Sequence, residues 1–109
     1  MRIWDINPKE LCRQHLLGEH RELHAIWSIL VNGKKGYRRH PETQRWIGKK
    51  MALYLRHEQL IKEMEKRGYR HYSPLDKRRA SGLANQTCFI NTKSEQRIIL
   101  KSKKCGCLV

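Results

Sequence analysis

Twenty-four lysines and arginines face ten aspartates and glutamates in a chain of 109 residues, a formal net charge of +14. A folded body with that much like charge repels itself unless a polyanion screens it. The hydrophobic share is nonetheless 39%, which argues against a disordered chain and for one domain spanning 1–109 around a single core. No apolar run approaches the length of a membrane span. The opening Met1-Arg2-Ile3-Trp4-Asp5 lacks the apolar core of a signal peptide. These features predict a cytoplasmic, nucleoid-associated monomer whose partner is nucleic acid.

The periodicity predicts an all-α fold of about three helices joined by basic, irregular connections. Asn7-Pro8-Lys9-Glu10 carries the signs of a helix start: an Asn cap, Pro at the first helical position and Glu three residues after the cap. The pattern runs on to Val31 and stops at Asn32-Gly33. A basic loop follows, and Pro41-Glu42 opens a second stretch that ends at Arg67 before Gly68, with Gly48 placed to divide it. Its apolar residues Ile47, Met51, Tyr54, Leu55, Ile61 and Met64 recur at helical spacing. From Tyr69 to Asn91 the pattern breaks into loop, with a short strand expected at Thr87–Ile90. Thr92-Lys93-Ser94-Glu95 reads as a capping box ahead of a third helix carrying Ile98, Ile99 and Leu100.

Projected at about 100° per residue, Cys12, Leu16, Leu23, Ile26, Trp27 and Leu30 form the apolar stripe of the first helix. Glu19 falls inside that stripe, so either an arginine from elsewhere reaches it or the helix is rotated. Beside the stripe run Gln14, Gly18, Arg21, Glu22 and Ala25. Glycine in a helix interior costs about 1 kcal/mol relative to alanine, and its usual reason is close approach of a backbone or a ligand. Glu22 sits at the edge of the stripe, a position that suits a general acid or base and equally an ordinary salt bridge. Trp4, Trp27 and Trp46 read as core, and Tyr37 as a loop residue or a base-stacking wedge.

The cysteines are Cys12, Cys88, Cys105 and Cys107. A Cys105/Cys107 metal clip recruiting Cys88 or Cys12 is conceivable, but the spacing is not a zinc signature. The expectation is therefore no metal and no cofactor, with reduced thiols on a tail and a small core residue at Cys12. His20-Arg21-Glu22-Leu23-His24 looks like a rearranged zinc-peptidase motif. Its histidines, however, point nearly opposite to Glu22 on a helix.

Several of these segments occur together in one known family. Arg2-Ile3, Gln14-His15-Leu16 and Glu19-His20-Arg21-Glu22-Leu23 resemble the opening of the pyrimidine-dimer DNA glycosylases of the phage endonuclease V type. Asn32-Gly33-Lys34 matches a loop motif there, and Leu60-Ile61, Glu63 and Lys66-Arg67-Gly68-Tyr69 resemble the end of the second long helix. The resemblance covers 1–69 and implies an all-helical enzyme that excises a damaged base from double-stranded DNA and then nicks the strand. It implies that the nucleophile is the α-amine of Met1 and that Glu22 is the acid/base. Arg2 and Arg21 would hold phosphates, with Gln14 and His15 beside them. Arg2 is large enough to block methionine removal, so the amine is expected to be that of Met1 itself. The family's arginine one turn after the catalytic glutamate is Ala25 here.

The chemistry is consistent with a terminal amine. Imine formation needs an uncharged nitrogen, and an α-amine is about one third neutral near pH 7.5, against about 0.1% of an ordinary lysine. Lys34, Lys35, Arg38 and Arg39 around Tyr37 are read as further DNA-binding residues, and Lys77, Arg78 and Arg79 as a second basic cluster. Two other readings compete. One is a non-catalytic DNA- or RNA-binding protein on the same scaffold; the other is a metal-dependent nuclease using His20 and His24.

Overall fold

Helix-forming segments dominate the computed structural model, which describes residues 2–70 and 73–109. In chain order they are a 3-10 turn at Pro8–Glu10, α1 (Arg13–Asn32), α2 (Pro41–Gln44), α3 (Lys50–Lys66), a second 3-10 turn at Lys77–Arg79, and α4 (Lys93–Ser102). The all-α expectation holds, with no named strand among the described residues. Helix α1 packs along α3, and one cluster of buried side chains joins Leu16, Leu23, Ile26 and Trp27 of α1 to Leu53, Leu60 and Met64 of α3. Trp4 and Trp46 are buried in the same cluster.

The first helix does not start at Pro8 as the capping signs suggest. Asn7 caps only a single 3-10 turn, accepting the Lys9 N–H at 3.1 Å. Leu11 is then extended and buried, and Cys12 is the N-cap of α1. The cause is Arg67, whose guanidinium donates to the carbonyls of Pro8, Lys9 and Leu11 at 3.3, 3.4 and 2.7 Å. The Pro8 carbonyl also accepts the Leu11 N–H at 3.1 Å, which closes the 3-10 turn, while Arg67 satisfies the Leu11 carbonyl where the chain turns extended. Gly33 ends α1 in the left-handed region at φ 64, as expected of a C-cap glycine.

Gly48 divides the second helical stretch, also as expected. Of the residues at helical spacing, Met64 is buried and Met51, Tyr54 and Ile61 pack partly buried against the core, whereas Ile47 and Leu55 are 58% and 43% exposed. The cause is that the buried face is rotated toward Ala52, Leu53, Arg56, His57 and Leu60. The rotation brings Arg56 inward to Glu19, which answers the question that Glu19 raises in the sequence.

No strand forms at Thr87–Ile90. Its backbone is claimed by side chains instead: the Cys88 N–H donates to Gln86 Oε1 and the Cys88 carbonyl accepts from Arg45. Upstream of it, Ser81 and Leu83 cover the start of α3, their carbonyls accepting from the Met51 and Ala52 amides at 2.9 and 3.1 Å. Two of the four N–H groups that a helix start leaves unpaired are thereby satisfied. The Thr92–Glu95 capping box forms as expected and opens α4, which buries Gln96 and Leu100 and leaves Ile98 67% exposed. After α4 the chain turns through left-handed Lys104 and Gly106 (φ 50 and 95), and the Leu108 amide reaches back to the Glu10 carbonyl at 2.7 Å.

Candidate active site

Residues 3–6 run through the interior without regular structure, so their backbone groups need partners from elsewhere. Helix side chains supply them. The Ile3, Trp4 and Asp5 amides donate to Glu42, Glu19 and Gln96 at 3.2, 2.9 and 2.7 Å. The Ile3 and Ile6 carbonyls accept from Arg45 and Arg56 at 3.0 and 2.8 Å. The charges are paired in turn: Arg56 with Glu19 at 2.7 Å, and Arg45 with Glu42 at 2.6 Å and Asp5 at 3.0 Å. Burial pushes the Glu19 carboxyl up, against the opposing pull of Arg56 and the Trp4 amide. Burial alone would lower the Arg45 pKa, but Glu42 and Asp5 hold it above its ordinary value.

This lashed segment forms one wall of a cleft of about 420 Å³. Arg2 and Trp4 stand on that side, Gln14, His15, Gly18, Glu19, Arg21 and Glu22 come from α1, and Ile99 and Lys103 close it from the side of α4. The predicted residues Arg2, Gln14, His15, Arg21 and Glu22 therefore share one cavity. Met1 lies outside the described residues. Among the described residues nothing lies within 4 Å of the place a Cβ would occupy on Gly18, which leaves that side of the cleft open. Ala25, further along the same flank, is exposed.

The cleft is cationic around one accessible carboxyl. Glu19 is buried and bound to Arg56, whereas Glu22 is only partly buried, between Arg21 and the cleft. Arg2 lies over the Trp4 ring at 4.5 Å and donates to Asn91 Oδ1 at 2.8 Å. Its Nε is buried with no hydrogen-bond partner among the described residues. His15 meets the Trp4 ring edge-on at 5.8 Å. Burial first, and the Lys103 charge second, lower its pKa, which favours the neutral imidazole. Such a cavity combines an accessible carboxyl with positive groups able to face phosphate.

The other predicted residues lie elsewhere. Lys34, Lys35, Arg38 and Arg39 are exposed on the loop between α1 and α2, and Lys35, Arg38 and Arg39 line a separate hollow of about 650 Å³. Tyr37 is 70% exposed there, while Trp46 is buried. Lys77, Arg78 and Arg79 occupy the second 3-10 turn, also exposed. Reading the sequence missed Trp4, Ile99 and Lys103 as cleft walls. The capping box announces α4 but carries no mark of where that helix docks.

Among the described residues, two clusters could hold a metal. His20 and His24 are joined by His57 from α3, with His24 Nε2 3.1 Å from both other Nε2 atoms. Glu22 is not in that group, so the zinc-peptidase arrangement is not formed. Cys12 is not a core residue but half-buried, and it meets His15, Cys105 and Cys107.

Comparison with curated proteins and with solved structures returned no match. A family model described as pyrimidine dimer DNA glycosylase matches residues 1–88, reaching past the 1–69 that the motifs cover. With that match spanning most of the sequence, and its acidic cleft residue carried on the first long helix, the chain belongs to the pyrimidine dimer DNA glycosylase family.

Proposed function

We propose that this protein excises a damaged base, a pyrimidine dimer by family, and cleaves the strand through an imine formed by the α-amine of Met1, with Glu22 as acid/base. The observation that carries the reading is that Arg2, the neighbour of that amine in sequence, lines the same cleft as Glu22. The buried lashings of residues 3–6 restrict where the chain ahead of them can go.

In this reaction the amine nitrogen bonds to C1′ of the damaged nucleotide while the glycosidic bond breaks and its electron pair leaves with the base. Glu22 supplies a proton as the base departs and the C1′–O4′ bond opens to the protonated imine. Glu22, now a carboxylate, takes a C2′ proton, and the C–H electrons form the C1′=C2′ bond of an enamine. The enamine nitrogen then restores the iminium as C2′=C3′ forms and the 3′-phosphate leaves with the C3′–O electrons. Water hydrolyses the imine and returns the amine. Reaching C1′ requires an extrahelical nucleotide and a bent duplex, which the positive groups Arg2, Arg21 and Lys103 would hold by phosphate contacts, with Gln14 and His15 beside them. Lys34, Lys35, Arg38 and Arg39 extend the phosphate footprint, and exposed Tyr37 is placed to stack on a base.

Borohydride trapping on duplex DNA with an abasic site tests the scheme. Untagged protein should give a covalent adduct that peptide mapping assigns to Met1, with the chelator EDTA having no effect. Adduct on a lysine, or full activity with a residue added before Met1, would assign the nucleophile elsewhere. Salt-sensitive binding with no nicking would make the protein a binder on the same scaffold.

A further inference from the structure

The Cys12–His15–Cys105–Cys107 cluster joins the two ends of the fold. Cys12 caps α1 and His15 lies in its first turn, while Cys105 and Cys107 belong to the tail that turns back after α4. Their four ligand atoms all lie within 4.8 Å of one another. Cys12 Sγ is 3.2 Å from His15 Nδ1, Cys107 Sγ is 3.5 Å from the same nitrogen, and Cys105 Sγ is 3.4 Å from Cys107 Sγ. Tetrahedral zinc with sulfur at about 2.3 Å and nitrogen at about 2.0 Å sets ligand edges of about 3.5–3.8 Å. Those three edges are within a few tenths of an ångström of that figure, and the other three are no longer than 4.8 Å.

We propose that Cys12, His15, Cys105 and Cys107 bind a structural zinc ion that clips the tail to the start of α1. Three further features fit. The Cys12 amide donates to Cys107 Sγ at 3.1 Å, the kind of outer contact that stabilises a metal thiolate. The tail takes the left-handed conformation at Lys104, a residue with a Cβ, immediately before Cys105, which turns both thiols toward α1. A complete set of four protein donors matches a structural site, whereas a catalytic zinc keeps a position open.

Binding breaks three S–H bonds and releases three protons as three Zn–S bonds form, and His15 enters as neutral imidazole. The filled site then carries a net charge of −1, in a segment that includes Lys101, Lys103 and Lys104. Coordination through Nδ1 fixes the His15 proton on Nε2, leaving one donor. The clip also holds Lys103, two residues before Cys105, at the cleft. None of this depends on the imine mechanism.

The test uses the full chain purified under reducing conditions. A mercurial should release one equivalent of thiol-bound zinc, and adding cobalt to metal-stripped protein should give a thiolate-to-cobalt charge-transfer band with intense visible bands of a tetrahedral ion. C105S/C107S should weaken cobalt binding by at least about a hundredfold. C105S alone should reduce the charge-transfer intensity, which covers failure of the double variant to fold. C88S and H20A/H24A should leave the band unchanged, because Cys88 lies outside the cluster and the three imidazoles at His20 contribute no thiolate. Less than about a tenth of an equivalent of zinc with no charge-transfer band would overturn the proposal. So would a disulfide among Cys12, Cys105 and Cys107 under reducing conditions, or a band indifferent to C105S/C107S.

Discussion

Glu22 and Glu19 lie three residues apart on one helix and meet opposite fates. Glu19 is sealed against Arg56 and the Trp4 amide, while Glu22 reaches the cleft. Glu22→Gln keeps the shape and removes the exchangeable proton, so DNA binding should persist while turnover falls about 10²–10⁴-fold. Single-turnover nicking of an abasic duplex beside a binding titration measures the split. Arg56→Met leaves a buried carboxylate uncompensated and should cost about 3–5 kcal/mol in denaturant unfolding. Adding Glu19→Gln to it should recover part of that loss, because the Trp4 amide keeps an acceptor and the stranded charge is gone. At this scale the sequence was informative. Helical projection placed Glu19 in the apolar stripe, left either an arginine partner or a rotated helix to explain it, and put Gln14, Gly18 and Glu22 on one flank. It could not name Arg56, since Arg56 sits within a stretch whose own apolar residues suggested a different inward face.

Among the elements, those ended by local signals were readable and those ended by distant contacts were not. Gly33 and the Thr92–Glu95 box did what their chemistry favours. The 3-10 break at Leu11 depends on Arg67, more than fifty residues away along the chain, and the absent strand depends on Arg45 and Gln86. The capping box has a pH signature. The Thr92 backbone N–H, donating to Glu95, holds that carboxyl below its ordinary 4.5. Its contribution is complete above that ordinary value and is lost as pH falls through the lowered one. The difference in Tm between wild type and Glu95→Gln should accordingly shrink on acidification through that window. In the loop over the start of α3, Gly82 has φ 89, and a Cβ there would strike the Gly48 carbonyl. Gly82→Ala should therefore lower stability by roughly 1–3 kcal/mol, read as a fall in Tm, by displacing the loop that covers the start of α3.

For the molecule as a whole, charge is the dominant fact, and no helix is long and apolar enough to cross a membrane. If about six to ten cationic groups meet phosphates, DNA affinity should drop about 10³–10⁵-fold between about 50 and 200 mM salt. Replacing Lys34, Lys35, Arg38 and Arg39 by alanine should flatten the log–log salt slope by about three to four, measured by fluorescence anisotropy. A slope unaltered by those changes would place the loop outside the footprint. The cleft's composition has one more consequence. Its walls, Arg2 and Trp4 on one side and Ile99 and Lys103 on the other, are contributed by opposite extremes of the sequence. A chain cut short ahead of Ile99 loses one of those walls, however well α1 and α3 have paired. Such a truncated product should stay folded around its core yet bind and nick DNA poorly.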